Sequence, residues 1–190
     1  MFNEVSTARA KSGLSQSEFA MALQISTRTL QQWEQGRRNP SGSARALINI
    51  ASKHPEIIRE SYETRLQQQA TASRLLDDMA ETLLSGEEIA FSDLILDWYR
   101  DGIECGTVPR PTDSDPVRLA IKASILERLV EVLNCPPHND NQSTPPWVKR
   151  VGALSDPIKL QSDRLLEGED YCEAFEKRNL YVVRNFMFFI

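Results

Sequence analysis

Helical periodicity opens the chain in short, interrupted runs. Over residues 4–12, Val5 and Ala8 recur three apart with the Arg9 stem beside them, and Gly13 supplies the left-handed residue that ends a helix. Ser15-Gln16-Ser17-Glu18 has the form of a capping box, a serine followed three residues later by a glutamate. Phe19, Ala20 and Leu23 then share one face, so a second helix runs to about residue 23. Gln24-Ile25-Ser26 breaks the pattern for three residues. Ser26 caps a third run over residues 27–35, in which Leu30 and Trp33 join Ile25 inside while Thr27, Arg28, Gln31 and Gln32 face outward. Gly36 and Pro40 stop it. Ser41 caps a fourth helix to residue 53, with Ala44, Leu47, Ile48 and Ala51 on the inner side. Trp33 belongs to the core stripe, and Glu34 reads as a structural partner for an arginine.

The pattern lengthens after Pro55. Residues 55–85 contain no breaker, and their apolar positions run Ile58, Tyr62, Leu66 and Ala70 before shifting to Leu76, Met79, Ala80 and Leu83. The weak middle, QQQATAS, allows one long helix or two helices hinged near residues 69–73. The hinged arrangement is preferred, with a helical linker at 61–70; a dimerising coiled coil is disfavoured by Gln and Ala at the seam. Residues 87–102 form a further helix, with Ser92 as cap, Gly102 as stop and Leu94, Ile95, Trp98 and Tyr99 as its apolar side. Asp115-Pro116 opens an amphipathic helix on Val117, Ile121, Ile125, Leu129 and Val132. PIKLQ and NLYVVRNFMFFI read as short strands, the last alternatively a buried helix end, with the apolar tail packing into a core or, as its rival, binding a partner. The expected fold is mainly α: an N-terminal bundle of four to five helices over residues 1–60, the 61–70 linker, and an acidic, mostly helical 71–190 domain ending in short strands.

Charge changes this picture. A net charge of −5 argues against nucleic acid as a partner. Its distribution argues the other way: residues 1–60 carry eight Lys/Arg and five Asp/Glu, which is +3 and leaves −8 for the rest. Such asymmetry is expected of a basic nucleic-acid module joined to an acidic module with another task. Cys105, Cys135 and Cys172 are widely spaced and form no Cys-x-x-Cys pair, as in a reduced cytosol. With no signal peptide at the start and no apolar run long enough to span a bilayer, a cytoplasmic protein without membrane contact is expected.

Candidate chemistry outside residues 1–60 is thin. The acidic run Asp77, Asp78, Glu81, Glu87 and Glu88 lacks a histidine and reads as a solvated helix face. Cys135 and His138 would make one edge of a zinc site whose second pair is missing. There is no glycine-rich phosphate loop and no nucleophile motif. No enzyme, metal or cofactor is expected.

Four short helices, the second and third separated by three residues, describe a helix-turn-helix. Residues 8–54 resemble that of the Cro/XRE-type bacterial and phage repressors. LSQSEFAMALQISTRTLQQWEQGRRNPSG and ALINIASKHPE are similar to the DNA-binding domains of HigA-like and MqsA-like antitoxins. One position departs: the family often has Gly at the turn, where this chain has Gln24, and a left-handed non-glycine residue costs about 1 kcal/mol, so the turn is either slightly strained or differently bent. The resemblance implies that Thr27, Arg28 and Gln32 read bases in the major groove, Arg28 gripping guanine and Gln32 adenine. It also implies that Gln16, Gln35, Arg37 and Arg38 contact phosphates. The function it implies is a repressor that binds a palindromic operator in double-stranded DNA as a homodimer. Within that class it resembles an autoregulating antitoxin whose toxin partner docks on residues 71–190, the acidic domain also expected to supply dimerisation. Two alternatives remain: a prophage or defence regulator whose second domain senses a ligand, marked by a pocket of Trp98, Tyr99 and Trp147, and an enzyme domain targeted by the helix-turn-helix.

Overall fold

A computed structural model describes residues 4–86, 88–134, 142–160 and 171–182. The described residues form eight α-helices and one pair of very short strands, so the protein is mainly helical. Its contacts divide it into two units, Met1–Gln67 and Gln68–Ile190.

The first unit holds α1 (Glu4–Ser12), α2 (Gln16–Ala22), α3 (Thr27–Glu34), α4 (Gly42–Lys53) and the first turns of α5 (Pro55–Ser85). Val5, Ala8, Phe19, Ala20, Leu30, Trp33, Ile48, Ala51 and Ile58 make its core. Fully burying a side chain such as Phe19 or Leu30 is worth about 1.5–3 kcal/mol each, and small residues beside them let the short helices approach closely. Polar contacts tie the start of α5 to this core: Tyr62 Oη donates to Glu18 Oε1 at 3.3 Å and Ser61 Oγ to the Ala22 carbonyl at 3.4 Å.

Three expectations for this region are corrected. Leu47 is 46% exposed, because the face of α4 turned inward centres on Ile48 and Ala51 and Leu47 falls at its edge. Ser41 precedes α4 but makes no side-chain capping bond. In the first unit the apolar stripe of α5 ends at Tyr62, since Leu66 and Ala70 are exposed, and residues 69–73 belong to one helix, Pro55–Ser85.

The second unit is built around α7 (Pro116–Asn134) with the later turns of α5, α6 (Glu88–Arg100) and α8 (Glu173–Glu176). From α5 it takes Ala72, Leu75, Leu76, Met79, Ala80 and Leu83, and from α6 Phe91, Ile95 and Trp98. Residues 88–100 are one helix, so Ser92 lies inside it and caps nothing, and Tyr99 is 53% exposed.

The sequence pattern makes α7 amphipathic, yet residues 120–126 are all buried, polar ones included. Polar groups on a central helix are costly unless they find partners. Ser124 Oγ donates to the Ala120 carbonyl at 2.9 Å, and Lys122 is held by both Asp113 and Asp77. Asp78 pairs with Arg74 at 3.3 Å and Glu81 with Arg118, so the described part of the acidic run serves as partners for cations. The strands, β1 (Ile158–Lys159) and β2 (Leu180–Tyr181), fall within the two segments expected and pair in parallel with Ile158 opposite Leu180. Most of the apolar tail, residues 183–190, lies outside the described residues, as do Cys135 and His138. Among the described residues no helix is long and apolar enough to cross a membrane.

Candidate nucleic-acid interface

The interface is assembled from α2, the turn and α3, each fixed by local hydrogen bonds. Ser15 and Glu18 form the full capping box: Glu18 N donates to Ser15 Oγ at 3.3 Å, and Ser15 N donates to Glu18 Oε2 at 2.7 Å. The backbone and hydroxyl donors of Ser15 hold the Glu18 carboxyl below the usual carboxylate range. Burial and the neighbouring Glu18 raise the Tyr62 phenol. At the turn Gln24 takes φ 56°, the left-handed conformation inferred from its family position, while Ile25 N donates back to the Ala20 carbonyl at 3.0 Å. Ser26 then caps α3, its Oγ accepting from Thr29 N at 3.0 Å.

The end of α3 places the basic flank. Gly36 turns left-handed, and the amides of Arg37 and Arg38 both donate to the Gln32 carbonyl, at 2.9 and 3.2 Å. Both arginines therefore leave from backbone pinned to the recognition helix. Arg28, Gln35, Arg37 and Arg38 are exposed; Gln16, Thr27 and Gln32 are half-buried.

Behind this face lies a polar network. Glu34 has a side chain only 8% exposed; its Oε1 accepts from Arg9 Nε at 2.7 Å and its Oε2 from Gln16 Nε2 at 2.5 Å. Arg9 also donates to the Leu14 carbonyl at 3.1 Å, and Gln31 Nε2 donates to Gln16 Oε1 at 3.4 Å. Arg9 is thus the arginine that Glu34 partners. Gln16 is less free than its expected phosphate contact implies, since its amide is engaged at both ends. The link from Gln31 to Gln16 was not anticipated: the residues lie fifteen apart and nothing in helical periodicity joins them.

Residues 5–44 match the family model described as Helix-turn-helix. They form a helix-turn-helix of Cro/XRE type. Antitoxin HigA-2 of Vibrio cholerae serotype O1 is 39% identical over 61 residues, which is 32% of this chain and 59% of that protein. The chain thus spans less than two thirds of the relative it matches. No solved structure matches the chain. A helix-turn-helix lays its second helix in the major groove, and the matches support a DNA-binding regulator.

The helix-turn-helix match ends at residue 44, so it does not reach the second unit. There the aromatic trio expected to line a pocket is divided. Trp98 and Trp147 are core, their indole N–H groups donating to the carbonyls of Ile103 at 3.1 Å and Val108 at 3.0 Å, whereas Tyr99 lies at the surface.

Proposed function

We propose that the protein is a transcriptional repressor that binds an operator in double-stranded DNA through α3 and represses its own synthesis as an antitoxin. One observation carries the DNA-binding part. The capped start of α3 presents Arg28 to solvent, and the same helix pins the backbone of exposed Arg37 and Arg38. Base readers at the start of the helix and phosphate ligands beyond its end are what groove recognition needs. In this reading Thr27, Arg28 and Gln32 read bases, while Gln16, Gln35, Arg37 and Arg38 contact phosphates. The antitoxin part draws on the printed name of the HigA-2 relative. It assigns the second unit to a toxin partner and gives it no reaction to perform.

Two-fold operators are read by two-fold proteins, with half-sites about 34 Å apart. The reading therefore includes a homodimer acting in the cytoplasm. In this reading the two copies pair through Leu47, Ile50 and Ile57 of the first unit, each more than 40% exposed, rather than through the second half to which the sequence assigns dimerisation. Light scattering on Leu47→Lys/Ile50→Lys should show a monomer where the parent is a dimer.

The decisive experiment is selection of random duplexes by the purified full chain. A palindromic motif should be enriched, and recovery of no preferred sequence refutes the repressor. Growth rescue by this chain of cells expressing the neighbouring reading frame tests the antitoxin role separately. The aromatic trio whose pocket would favour the ligand-sensing alternative is divided, Trp98 and Trp147 being core and Tyr99 exposed.

A further inference from the structure

The network behind α3 fixes the direction of an amide. An ionised carboxylate only accepts hydrogen bonds, and a primary amide offers two donors on one side and an acceptor on the other. Glu34 therefore selects which end of Gln16 faces it: Nε2 sits at 2.5 Å from Oε2, and turning the amide over would set two oxygens against each other. Arg9 holds the other carboxylate oxygen at 2.7 Å, so Glu34 cannot swing away to relieve the contact. With its nitrogen committed, Gln16 must direct its Oε1 elsewhere, and Gln31 Nε2 on α3 meets it at 3.4 Å. One N–H of Gln16 is left over.

We propose that Gln31 is a positioning residue for DNA binding. Together with Glu34 it clamps the Gln16 amide at both ends, so that the remaining N–H of Gln16 donates to a DNA phosphate in one fixed direction. Gln31 belongs to α3, so this clamp couples the helix that reads bases to the phosphate contact at the start of α2. A pre-set donor loses less rotamer freedom on binding than a free glutamine, whose side chain is among those with the most to lose. The inference rests on the DNA-binding reading above and adds a residue to it.

The test uses the full chain, the duplex it selects and an unrelated duplex, with Gln31→Met, Gln16→Met and the double variant. Met keeps the length and removes every polar atom. Each single change should weaken the selected duplex about three- to tenfold, the range one hydrogen bond commands. The double change should weaken it no more than the worse single, because both break one unit. Salt dependence should be unaltered, since neither glutamine releases a counterion. The stability of Gln31→Met should stay with the parent, since Gln31 satisfies no buried charge, which separates positioning from mere support of the fold. Losses that multiply in the double variant, or a Gln31→Met protein that binds like the parent, overturn the inference and leave the DNA-binding reading standing. A parent that prefers no duplex overturns both.

Discussion

Gln24→Gly isolates the one local conflict between this sequence and its fold. Gln24 sits at φ 56° in the turn, where an L-residue with a side chain is about 1–2 kcal/mol worse than in its ordinary basins. Glycine removes that strain but brings extra freedom to the unfolded chain, a cost of about 0.5–1 kcal/mol. The side chain is exposed, so little apolar burial is lost, and the Gln24 N–H bond to the Met21 carbonyl at 3.1 Å needs no side chain. The net expectation is a gain of about 0.5–1 kcal/mol. Native-state hydrogen exchange reads this in the first unit alone, which matters because a two-unit chain need not melt in one step. The slowest amides of α2 and α3 should exchange about two- to fivefold more slowly in Gln24→Gly, as that free energy dictates. Gln24→Val should do the reverse, since β-branching makes the left-handed basin worse. Unchanged exchange in both variants would refute the claim that the turn is strained.

Three further outcomes follow from named contacts. Arg28→Ala should cost about 1–3 kcal/mol on the selected duplex and relax preference at one base position, measured by competition binding; equal losses on all duplexes would make Arg28 a phosphate contact instead. Burial pushes the Cys105 thiol up to about 12, outweighing the contact with Trp98, so at pH 8 alkylation mapped by mass spectrometry should mark Cys105 far more slowly in native than in unfolded protein. In the second unit, burial raises the Glu127 carboxyl, but bonds from Lys177 at 2.6 Å and Arg178 at 2.7 Å win and hold it below its usual 4.5. A depressed carboxylate contributes stability above its unfolded pKa and loses it as pH falls through the folded value. The urea midpoint followed by Trp98 and Trp147 fluorescence should thus fall below pH 4.5, and Glu127→Gln should flatten that fall.

What the sequence made legible was local. Ser15, Glu18, Ser26 and Gly36 act within four residues of themselves, so caps and stops at α2 and α3 can be read directly from the chain. The same holds for the left-handed turn at Gln24, once its family position is known. Positions that depend on which neighbour covers a face could not be read this way. Leu47 and Tyr99 both fit an apolar stripe, and only the packing of α4 and α6 shows that each lies beyond the covered edge. In α7 the error ran in the opposite direction. The apolar stripe passes over Lys122, which packs inside because its carboxylates, Asp77 and Asp113, come from elsewhere in the chain. At the candidate interface, residue types were visible in advance, whereas the Gln31–Gln16–Glu34–Arg9 chain needed coordinates because it joins three helices.

An acidic chain can still bind DNA, because the duplex responds to local rather than total charge. At physiological salt, charges more than about 8 Å apart are largely screened from each other. Between Ser26 and Pro40 the sequence holds three arginines and a single carboxylate, Glu34. Glu34 is turned inward and bound to Arg9, so the stretch shows solvent only positive charge. Two of the arginines, Arg37 and Arg38, are assigned to phosphates. Each phosphate neutralised contributes about −0.9 to the slope of log affinity against log salt, so one copy should give roughly −1.8 and an operator-bound pair roughly −3.6. Arg37→Ala should flatten the slope of a pair by about 1.8, twice the change expected of a single bound copy. A parent slope near zero would mean that the arginines do not face the phosphates, and the assignment of α3 to the groove would fail with them.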